Sequence, residues 1–240
     1  MKYLNLHEHR TLWGNKRFLF SVFLGLIILL IGLEASELAR HHLEHTLHQG
    51  SWEYDLLLDH LPVMELEYFL VWGLELLFAL LVIILALHPG YLPFSLKSIG
   101  FLYLIRSFFI ILTPLGARPD RVIAPSEKLL YDLAYGSNEF FFSGHTSFPL
   151  ILALIFWHRP IIRSVLLVAT VLFGAAVLLA HTHYSIDVFA VPFIVPTIFV
   201  MSKKLFAGDL KYIREQEKID NGGGLIERLW KHMTNPLSKQ

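Results

Sequence analysis

FLFSVFLGLIILLIGL, residues 18–33, carries no charged side chain and follows directly on Lys16 and Arg17. An uncharged apolar run behind a basic flank reads as a membrane-spanning helix whose flank, together with Lys2 and Arg10, stays cytoplasmic. A cleaved signal peptide is the competing reading. Cleavage after Ala35 would want a small residue two positions earlier, where Leu33 stands, so the helix is expected to be retained.

The rest of the chain repeats the pattern. Of its 240 residues, 55% are hydrophobic, 14% aromatic and 17% charged, too apolar a balance for a soluble domain. Further spans are predicted at 68–87, 99–115, 148–157, 161–180 and 188–201. They are punctuated by His88-Pro89-Gly90 and His158-Arg159-Pro160, which stop helices and turn the chain. The expectation is an all-α, polytopic membrane protein of six transmembrane helices, with a catalytic domain over residues 1–204 and a tail over 205–240. In the tail, Gly222-Gly223-Gly224 is a flexible link. Beyond it Leu225, Ile226, Leu229, Trp230 and Met233 form an apolar stripe beside Arg228 and Lys231, the pattern of an interfacial or partner-docking helix over 225–233.

Charge sets the expected orientation. Net charge is zero, which argues against a nucleic-acid partner, yet the basic residues are unevenly spread. Lys2, Arg10, Lys16, Arg17, Lys97, Arg159, Arg163 and everything basic from Lys203 onward fall on one side of the six-span scheme. The other side has only Arg40, Arg118, Arg121 and Lys128. Both termini are therefore expected in the cytoplasm, and the site described next on the periplasmic, lumenal or exterior face. With no cysteine, disulfides and thiolate metal sites are excluded, and the redox compartment cannot be read.

Two polar motifs sit where loops meet apolar runs. Ser143-Gly144-His145-Thr146 offers a small-residue turn opening a helix, whose backbone N–H groups and hydroxyls can receive an anion, and His145 can protonate a departing alkoxide. In His183-Tyr184-Ser185-Ile186-Asp187, the histidine and the carboxylate share a face if the segment is helical. Asp187 would then hold one ring nitrogen and fix the other as a base, able to attack phosphorus or to act as a general base. Together the motifs read as a phosphate-chemistry site.

These residues also resemble a family. Ser143-Gly144-His145-Thr146, His183-Tyr184-Ser185-Ile186-Asp187-Val188, and Tyr103, Arg106 and Thr113 in a Y-x2-R-x6-T pattern are similar to the sphingomyelin synthase branch of the type 2 phosphatidic acid phosphatase superfamily, over about residues 95–200. The chain departs from the synthases at Ser137-Asn138-Glu139, where they read C-G-D, and at Pro93-Phe94, where they carry paired arginines. It departs from the phosphatase branch at Ile111 and Val177, where that branch has its lysine and arginine. The resemblance implies a membrane phosphotransferase that moves a phospho-head group from a phospholipid donor to a lipid alcohol of ceramide or diacylglycerol type through a phosphohistidine. His183, Asp187 and His145 would be catalytic, and Ser143, Gly144, Thr146, Arg106, Tyr103 and Glu139 would bind substrate, with no cofactor or metal. Water as acceptor would instead make the protein a lipid phosphatase or a phospholipase of the C type. Head group and oligomeric state stay open, a homo-oligomer included.

Other polar residues carry two readings each. Glu75 and Arg106 fall at similar depth in neighbouring spans, so Arg106 either pairs with Glu75 or binds phosphate. Arg118 and Arg121 either attract anionic head groups or are solvated, and Glu139 either neutralises a head-group cation or is a loop carboxylate. His41, His45 and His48 recur at i, i+4, i+7 beside His42, as zinc ligands or as the polar side of a surface helix within a loop over 34–65. A transporter or receptor using these groups as a pathway is the rival from another class.

Overall fold

The computed structural model describes residues 12–46, 53–113, 116, 118–120 and 141–220. Helices α1 (Lys16–Thr46), α2 (Glu67–Leu87), α3 (Leu92–Leu112), α4 (Gly144–Ile155), α5 (Pro160–Leu179), α6 (Ser185–Phe189), α7 (Val191–Leu205) and α8 (Leu210–Asp220) account for most of them, and no strand occurs among the described residues. Among the described residues, five segments are long and apolar enough to cross a membrane: Lys16–His42, Glu67–Leu87, Pro89–Leu112, Pro160–Leu179 and Ser185–Leu205. The expected fourth span is different. α4 has 12 residues, which at 1.5 Å each rise about 18 Å against a hydrocarbon core of about 30 Å.

Two boundaries move. The first helix does not end near Leu33 but runs on to Thr46, taking in His41 and His42. The surface helix expected around His41 and His42 within the loop over 34–65 is thus a continuation of the first span, because Glu34 to Glu44 is rich in Glu, Ala, Leu and Arg, all compatible with a continuing helix. His41 and His42 are exposed on it. His48 lies outside the described residues, as do Arg121, Lys128, Glu139 and the 225–233 helix. α3 starts at Leu92, well before the expected Ile99, with Pro93 in its first turn, where a missing N–H costs least.

α1 and α3 form the main pair, and they run parallel, since successive contacts climb both helices together. Gly25 faces Leu96, Gly32 faces Gly100, and Ser36 meets Arg106. A β-carbon at Gly32 would fall 2.2 Å from the Gly100 carbonyl oxygen, and one at Gly100 would fall 2.6 Å from the Ile28 carbonyl. Only glycine lets the two backbones approach so closely. α4, α5 and α7 pack on the α3 side around Phe148, Ile151, Leu152, Phe156, Val177 and Val195, all buried. Outside this core, Phe20, Phe23, Leu30, Leu76, Val82, Val171 and Phe193 are exposed, an apolar surface that a bilayer would cover.

Polar groups collect at the two ends of the bundle. At the end away from the motifs, Lys97 donates to Ser21 at 2.6 Å and to Asp209 at 2.7 Å, and Ser21 donates to Asp209. All three are buried. Lys97 is therefore an internal ion pair and not the loop charge assumed in the orientation scheme. α8 lies against the turn Pro89–Tyr91, where the Gly90 N–H donates to Gln216 at 3.2 Å and the Tyr91 hydroxyl to Glu217 at 3.1 Å.

Of the two readings of Arg106, the pair with Glu75 does not occur among the described ion pairs. α2 packs on α5 and α4, while the Arg106 face of α3 is taken by α1. Arg106, buried, donates to the Phe142 carbonyl at 2.9 Å and to the Ser36 hydroxyl at 3.1 Å.

The crossing gives a clean test. Gly100→Val should lower the melting midpoint in detergent, with an overpacking cost of about 1–3 kcal/mol. Gly208→Ala, where an added β-carbon meets nothing within 4 Å, should melt as wild type.

Candidate active site

Ser143 stands at the N-cap of α4, with its hydroxyl accepting from the Thr146 N–H at 3.4 Å and from the Thr146 hydroxyl at 3.2 Å. Cap and first turn are buried: His145 is 0% and Thr146 4% exposed. The His145 ring lies 5.9 Å from that of Phe173 on α5. Across from Thr146 is Gly174, whose missing side chain leaves room for it and for Val188. The first motif thus packs more than one turn below the C-terminus of α5, a consequence of the shortness of α4.

α5 ends in a Schellman turn. The Thr182 N–H bonds the Val177 carbonyl at 3.1 Å and the His181 N–H bonds the Leu178 carbonyl at 3.1 Å. His181 fills the left-handed position, φ 53°, that glycine usually takes, a conformation costing an L-residue about 1–2 kcal/mol. The chain then returns towards α4. His183 Nδ1 and Asp187 Oδ2 lie 3.2 Å apart, both residues 1% exposed, and the same oxygen accepts the Tyr184 N–H at 3.0 Å. The pairing expected from a shared helical face arises in another way. Helix α6 begins only at Ser185, and Asp187 reaches back from its first turn as a cap over Tyr184 and His183. Backbone joins the motifs, since the Ser143 N–H donates to the Asp187 carbonyl at 3.2 Å.

Loops from elsewhere in the chain fasten this turn. Asp55 accepts the Ser185 N–H at 2.7 Å and its hydroxyl at 2.8 Å, and caps the Leu57 and Leu58 N–H groups. Burial pushes the Asp55 carboxyl up, but these donors outweigh it and hold it below its ordinary value. The Tyr184 hydroxyl donates to the Gly116 carbonyl at 2.9 Å and accepts the Glu53 N–H at 3.1 Å. Arg118 pairs with Asp120 at 2.9 Å and Asp59 at 2.8 Å, and Asp120 also meets His181 Nδ1 at 2.8 Å. Its hydrogen bonds to Asp120 and Asp59 raise the Arg118 pKa. Arg118 in turn, helped by His181, draws Asp120 down to about 2.

The structure thus brings together Ser143, Gly144, His145, Thr146, His183 and Asp187, with Arg106 held behind them on the Phe142 carbonyl. Tyr103 is buried one turn before Arg106 in the core. Arg118, expected either to attract head groups or to be solvated, is buried between two carboxylates. The sequence reading missed Asp55, Asp59, Asp120, Ser36 and His181. Four of these carry no motif, and only the His-Thr-His spacing of His181 and His183 was visible. Among the described residues no cluster of His, Asp and Glu has a metal-binding arrangement.

Two outcomes are expected. His183→Ala should abolish turnover, and Asp187→Asn should lose about 10²–10⁴-fold while keeping a residue of activity. Asp120 has its folded value near 2, below the ordinary 3.8, so its pairing contributes stability above pH 3.8 that is lost as pH falls towards 2. Asp120→Asn should flatten the acid side of the melting profile.

Comparison with known proteins bears on the stretch that carries both motifs. A search of curated proteins finds no match. Residues 138–204 match the family model described as PAP2 superfamily C-terminal, a span that starts just before the first motif and ends with α7. That match supports the type 2 phosphatidic acid phosphatase superfamily for this chain.

Proposed function

We propose that the protein is a membrane phosphotransferase of the sphingomyelin synthase type, moving a phospho-head group from a glycerophospholipid to a ceramide-like or other lipid alcohol. The family match supports lipid phosphatase or phosphotransferase chemistry in an integral membrane enzyme. The observation that carries the finer reading is the buried His183–Asp187 pair facing the N-terminus of α4, with His145 in its first turn.

The steps follow from that arrangement. Asp187 accepts the Nδ1 proton of His183 and so sets the tautomer with its lone pair on Nε2. Nε2 attacks the donor phosphorus, the bond to the diacylglycerol oxygen breaks, and His145 gives that oxygen its proton. The phospho-head group is then bonded to His183. In the second half the acceptor alcohol loses its proton to His145 and attacks phosphorus, and His183 leaves neutral. Charge on the phosphoryl oxygens is met by the first-turn N–H groups of α4, the preorganised stabilisation that dominates phosphoryl transfer, and by the Thr146 hydroxyl once it turns from Ser143. Arg106 adds positive charge behind Phe142. If water is the acceptor, the same residues run a lipid phosphatase or a C-type phospholipase.

The recessed position of α4 supports a site at head-group depth, which a lipid would reach with its tails still in the bilayer. We place it on the outer face, with both termini cytoplasmic. The loop holding Glu65 lies on the motif side, since the Met64 N–H bonds the Leu179 carbonyl at 2.8 Å, and Lys204 lies at the other end of the bundle.

Purified protein incubated with fluorescent ceramide and phosphatidylcholine or phosphatidylethanolamine should yield a phosphosphingolipid. Release of free phosphorylated head group would make it a hydrolase, and no conversion of any donor would favour the transporter. For orientation, a cysteine in place of exposed Glu65 should react with an impermeant maleimide in intact cells, and one in place of exposed Lys204 should not. Equal labelling would overturn the outward-facing site.

A further inference from the structure

His181 is a buried histidine that the mechanism above leaves unused. Its backbone takes the left-handed position closing α5, where glycine would fit without strain, so something other than backbone preference keeps an imidazole there. The ring is spent on one visible contact, Nδ1 to Asp120 at 2.8 Å, while Nε2 is buried with no hydrogen-bond partner among the described residues. Asp120 is itself anchored through Arg118 to Asp59.

The contact belongs to a bracket. Two residues before His183, His181 is tied to Asp120; one residue after it, Tyr184 is tied to the Gly116 carbonyl. The ties run to Gly116 and Asp120, close in sequence, so the backbone of His183 is clamped from either side to the same part of the chain. A second clamp, Asp55 on Ser185, follows immediately. Asp187 fixes the rotation of the His183 ring and, through the Tyr184 N–H, the backbone after it; the backbone before it is held through His181 and Asp120.

We propose that His181 is a positioning residue for phosphoryl transfer, acting through its hydrogen bond to Asp120 to hold the His183 backbone in line for attack. This rests on the phosphotransferase reading above. The left-handed backbone makes an unusually clean test, because glycine and asparagine both accept that conformation. His181→Gly removes the bond to Asp120 without straining the turn. His181→Asn keeps it, since its amide nitrogen sits near the place of Nδ1 and donates a proton to the carboxylate.

Wild type, His181→Gly and His181→Asn would be compared for kcat and KM on the donor that wild type turns over, with melting curves alongside. The Gly variant should melt cooperatively near wild type and lose roughly tenfold or more in kcat, within the ~10²-fold that a misplacement of about 1 Å costs, with KM little changed. The Asn variant should recover most of that turnover. A Gly variant with wild-type kcat overturns the inference, and so does an Asn variant as slow as Gly, which would mean that Nε2 itself acts in the reaction. A wild type inert towards every lipid donor would instead sink the phosphotransferase reading and this inference with it.

Discussion

One carboxylate organises the site. Asp187 Oδ2 accepts from the Tyr184 backbone and lies against His183 Nδ1, while its own carbonyl takes the Ser143 N–H. A buried carboxylate is tolerated only where donors replace the water it has lost. Meeting that requirement at Oδ2 sets the start of α6 and the tautomer of the histidine, while the backbone carbonyl of the same residue sets the distance between the two motifs. The same atoms therefore serve stability and chemistry, which is why a substitution at Asp187 cannot separate them completely.

The bundle around the site obeys the same constraint at larger scale. The buried cations of α3 lie near its two ends, Lys97 against Asp209 and Ser21, and Arg106 against the Phe142 carbonyl and Ser36. Between them the helix carries no charge and crosses α1 backbone to backbone at Gly32 and Gly100. Inside a bilayer the hydrophobic effect does not drive helices together, so close packing at glycines and hydrogen bonds at the ends must do so. Lys97 has a further consequence. By pairing with Asp209, just past α7, it ties the C-terminal end of the bundle to the first and third helices, and α8 follows from that anchor onto the Pro89–Tyr91 turn.

Shortness is the useful property of α4. A helix of full spanning length would carry Ser143 to the level of the α5 terminus and leave the histidines at the surface. At twelve residues it stops lower, beside Gly174, and its buried first turn lies under the α5–α6 turn, which the residues Asp55 and Asp120 fasten. Low local dielectric strengthens every electrostatic term there.

Much of this was legible in the chain itself. Helices show in the periodicity and length of apolar runs, and the two motifs show because helix caps and acid–base pairs need particular residues at short, fixed spacing. Local chemistry of that kind is written locally, so Ser143 to Thr146 and His183 to Asp187 could be named from sequence. Distant partners could not. Whether Arg106 faces Glu75 or Ser36 depends on which helix takes its side of α3, and nothing near Arg106 in the sequence states that. Asp55 and Asp120 are ordinary loop acids until folding brings them to Ser185 and His181, and Lys97 looks like a surface charge until Asp209 arrives beside it. Burial decided these roles, because removing water from a charge forces it to find a partner, and which partner is within reach is a property of the packed bundle alone.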